Sequence, residues 1–365
     1  MSYLCLLPKQ VGTITQSHAR QDIDDAAAMG LDGFALNIGD PTQPFVRQAL
    51  NYMFDYARGK YPEFKLFFSL DLWASGGAGK KLGDYDSLLR DFMGHDAYQK
   101  GANGFPFVST FGDGGTNKEA WLNWKKKWAN KVYLVSDFDQ TQGYYDAHPG
   151  YWESTWPKSG SRNTDDCSLD KTVAGGATQQ KKSYMIGLSM LQYKNAYGAR
   201  LWRADEYLLT QRMKSILAMS PAPEYVEILT WVLLPLPPSL SPTRLTPALN
   251  PSRPAVGAIW YKPVSSQTRC AEGGGQYAQK PLGYDAARDV VAWAVVVGNG
   301  NDVAGWKVKM WSGGVQVGGT VALVPVLNSG VFDALNVGNQ RLEVLNKENR
   351  VVMRAAGGGT ADGDG

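Results

Sequence analysis

Short apolar runs with strand chemistry alternate along the first 231 residues with stretches whose apolar residues recur every three or four positions. The strand-like runs are residues 2–8, 33–38, 65–72, 105–111, 131–138, 151–156, 184–191 and 225–231. Between them, Val46, Ala49, Leu50, Met53, Phe54 and Ala57 form one apolar stripe at helical spacing. Shorter stripes are Leu88, Leu89, Phe92 and Met93; Trp121, Trp124 and Trp128; and Leu208, Leu209, Met213, Ile216 and Leu217. A parallel strand needs a crossover to reach its neighbour, so eight such units predict an α/β chain folded as a closed (β/α)8 TIM-type barrel. No Gly-x-Gly-x-x-Gly follows the first strand, and Gly76, Gly77 and Gly79 follow the third without a helix-start pattern, which removes the usual nucleotide-binding signature.

The texture changes after Trp231. Residues 232–254 hold seven prolines and no acid, which excludes a helix or a central strand and reads as a linker. From residue 258 the runs AIWYKP, VVAWAVVVG, WKVKMW, TVALVPVL and RLEVLN, separated by Gly- or Asn-rich turns, predict a β-sandwich. The expected organisation is a barrel over 1–231, a proline-rich linker over 232–257, a β-sandwich over 258–356 and a flexible tail over 357–365.

Charge narrows the choice of partner. Against 37 basic side chains stand 34 acidic ones, and neither sign gathers into a long run, so nothing marks a nucleic-acid or membrane surface. No apolar stretch is long enough to span a bilayer, and the start MSYLCLLPKQ lacks the parts of a signal peptide. A neutral ligand fits better, and 12 Trp with 18 Tyr supply flat amphipathic rings that suit sugar faces. Cys5, Cys167 and Cys270, with His18, His95 and His148, show no metal-ligand spacing, so neither a metal nor another cofactor is expected. Cys167 and Cys270 could pair in an oxidising compartment if the domains bring them together.

In a barrel of this kind the active site lies at the C-terminal strand ends. Asn37, Asp71, Asp137, Asp139 and Glu153 fall there, Asp205 lies just beyond the seventh strand, and Glu227 is inside the eighth. Glycosidic hydrolysis needs one carboxylic acid to protonate the leaving oxygen and a second carboxylate as base or nucleophile, which a ring of acids could supply. Asp71, carried to the mouth by the apolar strand KLFFSLDL, is the strongest of these candidates. Each also has a structural reading. Asp205 could cap the following helix, Asp137 and Asp139 could be a solvated strand end, and Glu227 could be an interior carboxylate satisfied by an Arg such as Arg203.

The segments DGFALNIG (32–39), FKLFFSLDL (64–72), PFVSTFGDGG (106–115), YWESTWP (151–157), LWRADEYL (201–208) and EYVEILTW (224–231) occur here in the order of glycoside hydrolase family 71, and the chain resembles those fungal endo-α-1,3-glucanases, or mutanases. The β region, with IWYKP ahead of Cys270, is similar to the family's β-sandwich. The resemblance implies a secreted or cell-wall enzyme that cleaves α-1,3-glucan with inversion. A monomer is expected, and the residues expected to hold glucan are Asn37, Asp71, Trp152, Glu153, Trp156, Asp205 and Trp231. It also exposes a departure. The family continues from Thr-Trp into Asn-Asp-x-Gly-Glu-Ser, whose Asp and Glu are its proposed catalytic pair, whereas Thr230-Trp231 is followed here by Val232, Leu233, Leu234, Pro235 and Leu236. The family's His-Phe-Met-Val-Gly is replaced by Pro8-Lys9-Gln10-Val11-Gly12, and the eighth barrel helix has no counterpart, which leaves the expected barrel open on one side.

Catalytic residues are therefore unassigned at this point, and three readings stand: an α-1,3-glucan hydrolase, a glucan-binding protein without turnover, and a product of a retained intron with a missing exon. Every Val codon begins with GT, so an unspliced donor site at Val232 would account for an acid-free, Pro-, Leu- and Ser-rich stretch. Sequencing mature transcripts across Trp231 checks this: messages that skip codons 232–254 support it, and continuous reads in every message refute it.

Overall fold

The computed structural model describes residues 2–6, 14–28, 30–111, 115–136, 154–155, 168–179, 181–189, 192–196, 199–203, 208–231, 254–262, 265–266, 284, 288–297 and 303–360. The first strands are β1 (Ser2–Leu6), β2 (Gly33–Ile38), β3 (Lys65–Leu70), β4 (Phe107–Thr110), β5 (Tyr133–Ser136), β6 (Ser154–Thr155) and β7 (Ser183–Ser189). A hairpin of β8 (Gln192–Ala196) and β9 (Ala199–Arg203) precedes β10 (Tyr225–Trp231). Helices α1 (Gln16–Ala28), α2 (Pro44–Lys60), α3 (Leu72–Gly77), α4 (Asp86–Phe92), α5 (Lys118–Lys127), α6 (Ser168–Gln179) and α7 (Leu208–Leu217) are interspersed among them. Compactness divides the chain into two units, one of residues 1–160, 166–189 and 215–234, the other of the remainder.

In the first unit the strands close in the order β1-β10-β7-β6-β5-β4-β3-β2. Every pairing is parallel, and β10 joins β1 through Ser2↔Val226 and Leu4↔Ile228. The strand ring is thus closed where the sequence reading expected an opening on one side, because closure needs only backbone partners on both edges of β10. The α2 stripe packs as its spacing requires: Val46, Ala49, Leu50, Met53, Phe54 and Ala57 are its buried residues. Pro44 supplies a fixed φ in the first turn, and Arg58 and Lys60 complement the dipole at the other end. Two stripes need correction. Leu217 is 71% exposed while Ile216 is buried, since neighbours on a helix point about 100° apart. Trp128 caps α5 rather than continuing it, leaving Trp121 and Trp124 on the buried face.

Polar ties fasten helices to one another and to strands. Tyr56 and Tyr61 both donate hydroxyl hydrogen bonds to Asp24 of α1, at 2.9 Å to Oδ1. Burial opposes the charge on Asp24, but these bonds and Lys60 outweigh it and hold the carboxyl below its usual range. Trp124 Nε1 donates to Asp86 Oδ1 at 3.2 Å, and Lys127 pairs with the same carboxylate, joining α5 to α4. Tyr184 of β7 donates to Asp170 Oδ1 of α6 at 2.9 Å.

The second unit has a three-stranded antiparallel sheet, β11 (Ala255–Trp260), β12 (Val291–Val297) and β15 (Val326–Phe332). A four-stranded sheet has the order β14 (Val315–Ala322), β13 (Lys307–Ser312), β16 (Gly338–Leu345) and β17 (Val351–Thr360). Trp293, Val295 and Phe332 of the first and Val308, Met310, Leu342 and Val344 of the second share one core. The first strand starts at Ala255, ahead of the expected 258, because its backbone already pairs with Val297. The last runs through Thr360, which pairs with Gly338, so the glycines placed in a flexible tail extend a strand instead.

Lys262, only 2% exposed, pairs with Asp289 at 2.8 Å and lies 4.9 Å from the Tyr284 ring centroid. Ser265 Oγ donates to Asp289 at 2.7 Å and the Ser266 amide at 2.9 Å. Burial pushes the Asp289 carboxyl up, but Lys262, Ser265 and Ser266 more than reverse this and set it well below the usual carboxylate range. A depressed folded value means that this contribution is fully present above the unfolded carboxylate range, near pH 4, and is lost as pH falls through the lower folded value. Asp289→Ala removes the carboxylate that pairs with the buried ammonium and is expected to cost the unit about 3–5 kcal/mol, measured as a lowered urea midpoint at neutral pH.

Candidate functional site

The barrel interior changes character along its axis. Phe67, Phe107, Tyr133 and Tyr225, from β3, β4, β5 and β10, converge with ring centroids 4.6 Å (Phe67–Phe107), 5.3 Å (Phe107–Tyr133) and 5.2 Å (Phe107–Tyr225) apart. Rings from strands on different sides of the ring can meet only inside it. Tyr133 donates to Ser183 Oγ at 2.7 Å, and burial raises its hydroxyl above the usual tyrosine range, so it stays neutral. These rings plug the interior.

Side chains two residues further along each strand point the same way. Ser69 therefore follows Phe67, Ser109 follows Phe107 and Glu227 follows Tyr225, all fully buried. Asn37 of β2 registers with Ser69, and Ser69 with Ser109, so three neighbouring strands present a polar row toward the C-terminal end. Both amide atoms of Asn37 and the hydroxyls of Ser69 and Ser109 are buried without a hydrogen-bond partner among the described residues. Each such group costs about 1–3 kcal/mol unless water or a ligand satisfies it, and the barrel layers of ordinary proteins are dominated by branched apolar residues instead. The polar row is thus the feature of the interior that packing does not account for.

The loops leaving β2 and β3 are tied together beside this row. The Asp71 amide donates to Ile38 O at 3.1 Å, and Ser75 Oγ donates to Gly39 O at 2.7 Å. The buried Tyr85 hydroxyl bonds both to Ile38 O and to Ser75, and burial raises it well above the usual tyrosine range, so it remains a neutral donor. Asp40 tightens the turn after β2 by accepting from the Thr42 amide at 3.0 Å and from Gln43 Nε2 at 2.7 Å. Contrary to the sequence reading, a helix does start after β3: Asp71 is its N-cap and accepts from the Ala74 amide at 3.0 Å. Its carboxylate thus sits at the mouth with one oxygen committed to the cap.

Of the candidates, Asn37, Asp71 and Glu227 are brought to one barrel, Asn37 3% exposed and Glu227 at 0%. Trp231 ends β10, and its side chain lies outside the described residues. Trp152, Glu153, Trp156, Asp205, Asp137 and Asp139 also lie outside them, as do Cys167, Cys270 and the Arg203 side chain. The sequence reading missed Ser69 and Ser109. Their signal was the alternation Phe67-x-Ser69-x-Asp71 and Phe107-x-Ser109, which puts each serine on the inward side. No group of three or more His, Cys, Asp or Glu side chains suited to a metal occurs among the described residues, and none of their helices is long and apolar enough to cross a membrane.

Comparison with known proteins gives three kinds of likeness. The sequence profile described as glycosyl hydrolase family 71 matches residues 6–232, from the last residue of β1 through β10. The glucan endo-1,3-alpha-glucosidase agn1 of Schizosaccharomyces pombe is 24% identical over 238 residues, which cover 60% of this chain and 52% of that protein. The chain thus spans about half the length of this curated relative. Among solved structures, the GH99 endo-alpha-mannosidase from Bacteroides thetaiotaomicron superposes with a TM-score of 0.47 at 10% identity, over 60% of this chain and 68% of that one. Another, described as a glycoside hydrolase, has a TM-score of 0.42 at 8% identity, over 91% and 89%.

Tyr85→Phe tests the fastening of the mouth. It is expected to lower stability by about 1–3 kcal/mol and to speed hydrogen exchange at the Asp71 and Ala74 amides, while exchange in the second unit stays unchanged.

Proposed function

Because the chain belongs to glycosyl hydrolase family 71, we propose that it acts on α-1,3-glucan as a glycoside hydrolase, with the polysaccharide lying across the C-terminal strand ends of a (β/α)8 barrel followed by a β-sandwich. The observation that carries this reading is the buried polar row of Asn37, Ser69 and Ser109 at that end of the barrel, within the stretch matched by the family. A neutral polymer rich in hydroxyls is a fitting partner for amide and hydroxyl groups that carry no charge. The substrate is taken from the function of the named relative, a glucan endo-1,3-alpha-glucosidase. An extracellular or cell-wall place of action and a monomeric state belong to the same reading.

Inversion requires a general acid and a general base held about 6.5–9.5 Å apart, so that a water fits between base and sugar. The family pair is replaced in this chain by Val232, Leu233, Leu234, Pro235 and Leu236, which can neither donate nor accept the proton. A hydrolytic site here would have to use carboxyls at other positions, and the described barrel offers Asp71 at its mouth and Glu227 in its interior. A second reading, binding without cleavage, is favoured by a specific observation: the sequence holds no carboxylate between Glu227 and Glu272.

Incubation of the purified chain with α-1,3-glucan separates these readings when reducing ends and co-sedimentation are measured together. Hydrolysis predicts reducing ends that disappear in Glu227→Gln and Asp71→Asn. Co-sedimentation without new reducing ends assigns the chain to binding alone. A chain that neither sediments with the polymer nor releases reducing ends overturns both.

A further inference from the structure

We propose that Trp73 is a stacking platform for a glucose ring at the barrel mouth, a proposal that rests on the α-1,3-glucan reading above. Trp73 is 58% exposed, whereas the tryptophans of α5, Trp121 and Trp124, are buried. It lies on α3, two residues beyond Asp71, at the end of the barrel where Asn37 and Ser69 are buried without partners among the described residues.

The helix is built to hold this ring outward. Leu72 and Ser75, three residues apart, form its buried side, and Ser75 is fixed to Gly39 and Tyr85. Asp71 caps its first turn. On the opposite side, positions three and four beyond Trp73 are Gly76 and Gly77. A Cβ added at either glycine meets no atom within 4 Å, and neither has a positive φ, so neither close packing nor backbone conformation calls for glycine there. Glycine weakens a helix, and two in succession on the exposed face of six residues put no side chain at the positions one turn beyond the indole. The product is an exposed flat ring on an anchored turn, with room at Gly76 and Gly77 among the described residues.

A pyranose ring has an apolar face of C–H groups and a rim of hydroxyls. An indole covers the face, and uncharged amides and hydroxyls suit the rim. Trp73 and Asn37 supply one group of each kind at the same end of the barrel. Trp73 thereby joins the residues that would set affinity for a glucan chain, without any part in proton transfer.

The test uses the full chain and a soluble α-1,3-linked glucose tetrasaccharide, with binding measured by isothermal titration and folding by thermal melting. Trp73→Ala is expected to weaken binding about tenfold or more with little change in melting, and Trp73→Tyr to keep most of the affinity. Gly77→Gln, which favours the helix but puts a side chain beside the indole, is expected to weaken binding while melting stays the same or rises. If the wild type binds and both Trp73→Ala and Gly77→Gln bind as tightly as it does, the platform is wrong and the glucan reading survives. If the wild type binds no oligosaccharide, the glucan reading falls and the platform with it.

Discussion

A closed ring of eight parallel strands leaves a narrow interior that alternate side chains must share, and this constraint organises the first unit. Because β10 pairs with both β7 and β1, no strand edge is left over, and each strand contributes every second residue to the inside. Phe67, Phe107, Tyr133 and Tyr225 fill one level with rings. The next level, reached two residues later on the same strands, holds Ser69, Ser109 and Glu227, with Asn37 in register beside them. A dry, packed floor with a polar layer above it is the physical basis for placing a ligand at the C-terminal end.

That layer would have little use beneath a loose rim. The loops after β2 and β3 are held by bonds to Ile38 O and Gly39 O from Asp71, Tyr85 and Ser75, so the mouth is braced on the side where Asn37 and Asp71 lie. The same bonds explain why Asp71 has two duties. Its amide continues the ladder from β3, and its carboxylate caps α3, which limits how freely the acid could serve chemistry.

Descent and activity have to be argued separately in this chain. The family match runs from residue 6, the last of β1, through β10 and ends at residue 232. Strand closure depends on backbone partners, whereas acid–base chemistry depends on particular side chains, so the one does not establish the other. The second unit has its own core and its own ion pair, Lys262 with Asp289, whose carboxylate also accepts from Ser265 and Ser266.

By itself the sequence determined the strand–helix alternation, the buried stripe of α2 and the all-β character after the proline-rich stretch. These are properties of residue type and short-range period, which a single chain displays directly. Only the tertiary structure decided which polar residues share an interior. Ser69 and Ser109 are ordinary strand serines until closure aligns them with Asn37. Asp71 became a helix cap because Ala74 folds back onto it, and Trp73 became an exposed ring because Leu72 and Ser75 claim the buried side of α3. Register between strands and the turn of a short helix are set by partners far away in the chain, and local sequence does not contain them.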